Sequence, residues 1–426
     1  CGAAIRFRGN ERLPFGQGWM QPWTKDDSVP PREVADGNDE DLAQVLSIND
    51  TRVYASVTES VLVIPPESRV RKGTVVDRLY RTSGDRSRID TARTKLERDS
   101  IIKTLAREYR CKRNDIETAL AAIDSGYPLN GENPTSGQER ESEFEAFLEV
   151  LPDQREDEDL VTRNRSDEWR ELGMAVDLNT DQQRIVHGVR HLVRVDRLKA
   201  VKVFQGFTRL GGEERDPPEI VLPDIVGKSD WLPAIELYGE GIFLALDEEW
   251  LKKWEQTPAV VSRLDSLLPR FAQSGRDDPN PLTARFMLLH TLSHLLMRQI
   301  ESEGGYTAAS LSERLYCAKT PKPMAGILIY VAVPDIAGSL GGLAELSEPG
   351  RFLGILIRAL EHSRWCSLDP VCSNHEGQGP GLLNRAACHA CVLVPDPACE
   401  YRNTLLDRGF VKGDAESGLP SFFGVT

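Results

Sequence analysis

The 426-residue chain contains no run of about 18 apolar residues, so no helical membrane span is expected. Its start, Cys1-Gly2-Ala3-Ala4-Ile5-Arg6, has no apolar stretch of the kind a secretion signal requires. It also lacks an initiator Met and reads as part of something longer; a cytoplasmic location is expected. Catalytic signatures are equally scarce: HExxH, acidic tetrads and DEAD-type helicase boxes are all missing. Gly227-Lys228-Ser229 imitates the end of a phosphate-binding loop, but that motif needs glycine at 222, where Leu222 stands. No catalytic role and no nucleotide hydrolysis are expected of this chain.

Positive charge is in deficit too, with a net charge of −14. A uniformly acidic surface would repel nucleic acid, but the charge is segregated. Residues 67–113 carry fifteen Lys/Arg against seven Asp/Glu, residues 132–159 eleven acids against two Arg, and residues 184–209 seven Lys/Arg against Asp196 alone. A local basic surface on an acidic protein is therefore permitted.

The apolar pattern predicts an α+β protein: a mixed α/β core domain closed by a C-terminal structural zinc module with four cysteine ligands. The β-branched run at 52–64 predicts one or two strands, and the periodicity of 91–125 predicts helices. A helix is expected around Phe144, Phe147 and Leu148. Residues 181–200 read as a helix with Ile185, Val189, Leu192, Val193 and Leu198 on its apolar side, followed by strands at 201–210 and 236–246. A helix bearing Trp250, Leu251 and Trp254 comes next. The firmest helix is 281–302, with Pro281 near its start and Gly304-Gly305 ending it. The continuous apolar run 326–333 predicts a buried strand, and 351–363 another helix. The expected organisation is an irregular or β segment (1–66), a helical, charge-segregated region (67–180), the α/β core (181–365), and the zinc module with its tail (366–426).

Five of the eight cysteines fall between 366 and 399, in the spacing Cys366-x5-Cys372-x15-Cys388-x2-Cys391-x7-Cys399. A CxxC pair lets two thiolates reach one ion from a tight turn, and two more at loop distance complete a tetrahedral site. All-thiolate ligation leaves no open position for water, which makes such a site structural. The expected ligands are Cys372, Cys388, Cys391 and Cys399, with Cys366 an alternative to Cys372 and with His375 and His389 as further candidates. Buried free thiols are the plain alternative, but so many in a reducing compartment would be open to oxidation. Cys1-Gly2 reads equally as the tail of a second, upstream knuckle and as a lone cysteine.

Other candidates carry weaker signals. His290 and His294 lie four apart on the 281–302 helix, a spacing that can hold a metal, although core histidines with internal partners are the commoner case. The glycine-bearing loop 334–343 follows a strand, a setting in which backbone N–H groups can approach phosphate; a tight strand-to-helix connection is the plainer reading. Arg190, Arg194 and Arg197 would share one face of the 181–200 helix. With Lys199, Lys202 and Arg209 they form the candidate DNA-binding set, contacting phosphates without reading sequence, against the alternative of a solvated face.

Four segments carry a family resemblance: ACHACVLVPDPACEYRNTLLDR (387–408), CSLDPVC (366–372), LLHTLSHLLM (288–297) and ILIYVAVPDIAGSLGGL (327–343). Together they resemble the DrmB family, the helicase-associated subunits of the DISARM anti-phage system. They are also similar to the C-terminal zinc-binding domain of MrfA-type DNA-repair helicases. The resemblance implies a zinc-containing, non-catalytic partner of an SNF2-like helicase of the DrmA kind, with DNA bound by the pair and ATP hydrolysed by the helicase. It places zinc ligands on Cys388, Cys391 and Cys399, and on Cys372 as the fourth. Two other classes stay open, a metal-dependent nuclease or phosphodiesterase and a scaffold that binds only protein.

Overall fold

The computed structural model describes residues 54–63, 73–127, 135–150, 154, 156–209, 220–223, 231–274, 282–320, 322–333, 341–369 and 371–424, together with a two-residue antiparallel ladder of β1 (Trp19–Met20) and β2 (Ala43–Gln44). Cys1, Gly227-Lys228-Ser229 and residues 334–340 lie outside the described residues. The chain divides into two compact units, residues 1–60 with 202–235, and residues 61–201 with 236–426. In the smaller unit, Phe207 and Val221 form an isolated antiparallel bridge, Phe204 packs edge-on against Phe207, and Gln205 donates to Glu59.

The larger unit is α+β. The six-stranded sheet has the order β3 (Tyr54–Leu62), β5 (Val189–Arg209), β6 (Ala234–Leu246), β8 (Met324–Val333), β7 (Leu311–Ala318), and β4 (Leu160–Asn164) also pairs with β5. β8 runs antiparallel to both β6 and β7. Successive strand residues face opposite sides of a sheet, and here both sides are covered. Ile242, Leu244, Leu311, Leu315, Ile327 and Ile329 join one core, whereas Phe243, Ala245, Tyr316, Leu328 and Tyr330 join another. That is why 326–333 is apolar at every position. The second core is closed by Phe147 of α5 (Ser136–Leu148), stacked on Phe243 at 4.8 Å.

Helix α11 (Ala284–Gly304) lies in the first core and is buried along most of its length. Thr283 caps its start by accepting from the Phe286 N–H, and Gly305, at φ 72°, ends it in the left-handed conformation that glycine adopts without strain. Buried Arg285 anchors it in ion pairs to Glu248 and Glu255 of α8 (Glu248–Glu255) and donates to the Ala318 carbonyl. α13 (Pro349–Ser363) packs alongside and leads to the cysteine-rich segment. A third core of Leu79, Ile89, Ile102, Leu105 and Ile116 is built within α1 (Val75–Arg81), α2 (Ser83–Asp90), α3 (Lys95–Glu108) and α4 (Arg113–Asp124).

The helix expected over 181–200 is corrected. α7 (Thr180–Gly188) stops at Gly188, and Val189 opens the long strand β5. The apolar spacing there satisfies a period of two as well as a helical one: Val193 and Val195 face one core and Leu192 the other. Pairing on both sides of β5 decides in favour of the strand. A register irregularity opposite Val161/Thr162, which pair with Arg197 and Val195, returns Leu198 and Ala200 to the same core as Val193.

Candidate metal centre

Four cysteine sulfurs converge at the end of α13. Cys366 leaves that helix, Cys372 opens a short 3-10 turn (Cys372–Asn374), and Cys388 and Cys391 sit on one tight turn in which the Cys391 N–H donates to the Cys388 carbonyl at 3.1 Å. The four sulfurs all lie within 4.8 Å of one another. Cys366–Cys388 and Cys388–Cys391 are 3.6 Å apart and Cys372–Cys391 3.9 Å. Sulfurs placed tetrahedrally about 2.3 Å from one zinc stand about 3.8 Å apart, so these residues fit the ion without rearrangement.

The surroundings suit thiolates. The Cys388 N–H donates to Cys391 Sγ at 3.3 Å. Arg408, fully buried at the start of α14 (Arg408–Lys412), donates to the carbonyls of Ser363 and Ala386 and reaches Cys372 Sγ at 3.5 Å. One guanidinium thus ties the end of α13 to the CxxC turn and puts positive charge beside a cluster that stays negative even around a divalent ion. Arg298 of α11 donates to the backbone carbonyls of His389, Ala390 and Leu393, fixing the turn from outside. Burial pushes the Cys372 and Cys391 thiols up from their ordinary range. Burial opposes ionisation of Cys366 as well, but the backbone amides of Asp369 and Leu368 and the Cys388 thiol hold it below that range.

The expected ligand set changes at one place. Cys372, Cys388 and Cys391 come together, and the fourth position belongs to the alternative, Cys366. Cys399 is elsewhere: its sulfur lies 3.1 Å from Nε2 of His290, within the core. The seven residues after Cys391 fold back under α11, with His294 Nδ1 meeting the Val392 carbonyl, and carry Cys399 away from the other thiols. His375 and His389 are exposed and take no part; His375 is paired with Asp369. The spacing sets Cys366 against Cys372 and takes Cys399 as a ligand; the structure instead gathers both Cys366 and Cys372 and leaves Cys399 out.

The basic set is dispersed. The residues sit on β5, where neighbours in sequence point to opposite faces, so the expected helical stripe does not form. Arg194 is held by Asp196 and Glu345, and buried Lys199 is bonded to Ser83 and paired with Glu236. Arg197 lies 4.1 Å from the centre of the Tyr238 ring. Arg190 is exposed, Lys202 is half-buried, and the Arg209 side chain lies outside the described residues. The amides at the end of the 334–343 loop are already taken: Gly341 and Leu343, with Ala344 beyond them, donate to the carboxylate of buried Glu240, which also accepts from Tyr306. Those amides hold an internal carboxylate where a phosphate was considered. Among the described residues no helix is long and apolar enough to cross a membrane.

Residues 292–392 match the family model described as the MrfA Zn-binding domain, a region that contains all four gathered cysteines. Over 240 residues, 54% of the chain, the sequence is 35% identical to the DISARM protein DrmB of Bacillus paralicheniformis (strain ATCC 9945a / NCIMB 11709 / CD-2). The matched stretch covers 42% of that relative, so the chain spans less than half of its length. The resemblance read from the sequence is met at both points, and the domain match and the four-thiol cluster agree on a structural zinc.

Proposed function

We propose that this chain is a non-catalytic, zinc-stapled subunit of a DISARM-type anti-phage complex, acting on DNA in the cytoplasm beside an SNF2-like helicase. The observation that carries this reading is the similarity to DrmB, joined to a metal centre whose four thiols leave no open position for a reacting water. ATP hydrolysis then belongs to the helicase.

With Arg194, Arg197 and Lys199 of β5 engaged by neighbouring side chains, the helical region becomes the better source of phosphate contacts. Lys95, Arg98, Lys103 and Arg107 of α3, with Arg110 and Lys112 after it, are exposed and have no ion pair among the described residues. Such cations contact phosphates without reading bases. The test is affinity purification of the tagged chain from a host carrying the whole system, followed by salt titration of DNA binding. Co-purification of an SNF2-like helicase is expected. Changing Lys103, Arg107 and Arg110 to Ala should reduce the log–log salt slope by up to about three. Absence of both helicase and DNA from the purified material would overturn the reading, and metal-dependent DNA cleavage by the isolated chain would overturn its non-catalytic part.

A further inference from the structure

A second group of metal-ligating side chains lies within the first core. His290 and His294, one turn apart on α11, face Glu313 of β7 and Cys399, and one ligand atom from each lies within 4.8 Å of the others. His290, His294 and Glu313 are 0%, 0% and 2% exposed and Cys399 is 8% exposed. Glu313 shares the strand face of Leu311 and Leu315, so its carboxylate enters an apolar core. Among the described residues none of the four is ion-paired or hydrogen-bonded to a Lys or Arg side chain.

The hydrogen-bond arrangement leaves lone pairs facing one another. His294 Nδ1 lies 3.1 Å from the Val392 carbonyl, which only accepts, so the ring proton sits on Nδ1. Nε2 of the neutral ring then presents a lone pair to Glu313 Oε1, 3.5 Å away. His290 Nε2 is 3.2 Å from the same carboxylate oxygen and 3.1 Å from Cys399 Sγ. His294 Nε2 and Glu313 Oε2 have no hydrogen-bond partner. A buried carboxylate with one oxygen left unpartnered is costly. A divalent cation would satisfy the lone pairs at once.

For His294, Glu313 and Cys399 the outer contacts are those of a ligand set; His290 Nδ1 has no hydrogen-bond partner. Cys399 Sγ accepts from the N–H groups of Tyr401 and Asn403, each at 3.3 Å, as Cys391 Sγ does from Cys388. Glu313 Oε1 accepts from the Glu400 N–H at 3.2 Å. To aim these amides the chain holds Arg402 at φ 52° and Asn403 at φ 54°, a conformation that non-glycine residues adopt at a cost. The Asn403 side chain secures the turn by donating to the Val394 carbonyl and accepting from its N–H. A histidine whose far nitrogen is fixed by a carbonyl is the usual second-sphere arrangement of a zinc ligand. Ligands placed tetrahedrally around zinc stand about 3.3 to 3.6 Å apart; the two nitrogen–oxygen separations, 3.2 and 3.5 Å, lie close to that range, and the 3.1 Å between His290 Nε2 and Cys399 Sγ is shorter than the roughly 3.5 Å of a zinc-bound nitrogen–sulfur pair.

A Cys–His–Glu relay would need the thiol and the carboxylate on opposite nitrogens of one ring. Here both meet Nε2 of His290, and none of the groups is open to a substrate. We propose that His290, His294, Glu313 and Cys399 bind a second, structural zinc ion. One thiolate and one carboxylate neutralise a divalent ion, so this site needs no counter-charge in an apolar core, whereas the four-thiol centre has Arg408. Two imidazoles with one thiolate and one carboxylate are a donor set that zinc accepts readily.

The test is metal analysis and zinc-edge X-ray absorption on the purified full chain, with no variant needed. Two zinc ions per chain are expected, with a first shell averaging between two and three sulfurs per zinc and the rest nitrogen or oxygen. His290→Asn should lose one equivalent and leave a sulfur-only shell; if that variant does not fold, the wild-type measurement decides. One zinc per chain in an all-sulfur shell would overturn the second site and leave the four-thiol centre standing.

Discussion

Replacing Arg408 with methionine asks how much the four-thiol centre depends on a buried counter-charge. Methionine keeps most of the apolar stem and removes the guanidinium, which is fully buried and donates to Ser363 O at 2.9 Å, Ala386 O at 2.5 Å and Cys372 Sγ at 3.5 Å. Two carbonyls and a thiolate then lose their donor in the interior. Hydrogen bonds from a charged donor contribute ~1.5–3 kcal/mol each, and a buried acceptor left unpaired costs ~1–3 kcal/mol. Relief from desolvating the guanidinium offsets part of this, and breaking one side of a buried charge network costs ~3–5 kcal/mol net. Against a total stability of ~5–15 kcal/mol, the variant should still fold, marginally. The assay is the urea midpoint of the zinc-loaded protein, paired with the rate of zinc transfer to a colorimetric chelator. Arg298→Met is the control: it also touches the CxxC turn, but from a half-buried position, and should cost ~1–2 kcal/mol. If Arg408→Met stays within about 1 kcal/mol of the wild type and releases zinc at the same rate, the counter-charge argument is wrong.

Cys366→Ser should abolish zinc at the four-thiol centre and destabilise the C-terminal module, because binding energy at a structural site is folding energy; retention of an all-sulfur zinc shell in that variant would return the fourth position to another residue. Arg314 and Glu143 form a buried ion pair that also accepts from Tyr316, so Glu143→Leu should lower stability by ~3–5 kcal/mol, while adding Arg314→Met should recover most of the loss in a thermal melt. Gly239→Ala should yield insoluble protein, since a methyl group there would collide with the Val331 carbonyl in the β6–β8 ladder; soluble, cooperatively melting protein would contradict that register. Burial pushes the Cys317 thiol up to about 12, so its thiolate is scarce at pH 8 and iodoacetamide should label it more than ~100-fold more slowly than in urea, as peptide mass spectrometry would show.

Elements whose local pattern allows one reading were legible in the sequence. The run 326–333 can only be buried on both sides, and α11 carries its cap, its apolar surface and its glycine stop within its own residues. β7 gave no such signal: Leu-Ser-Glu-Arg-Leu-Tyr-Cys-Ala carries a Glu and an Arg that read as solvent-facing, yet Glu313 meets the histidines of α11 and Arg314 meets Glu143 of α5. Residues 189–200 satisfy two periods at once, and only the strands on either side of them select the strand.

The sequence by itself determined the chemistry of the metal-binding end. A CxxC turn and further thiols at loop distance imply closed thiolate ligation because the spacing is local and the donor chemistry does not depend on the fold. Tertiary structure alone decided which thiol completes the set. Cys366 lies far from the CxxC turn in sequence and Cys399 close to it, yet α13 delivers the first to the turn while the segment under α11 carries the second to His290. The same holds for charge. Composition located the basic residues, but whether a cation is free for a partner depends on what the fold places beside it. At Arg194 and Lys199 it placed carboxylates, and along α3 it left the cations exposed.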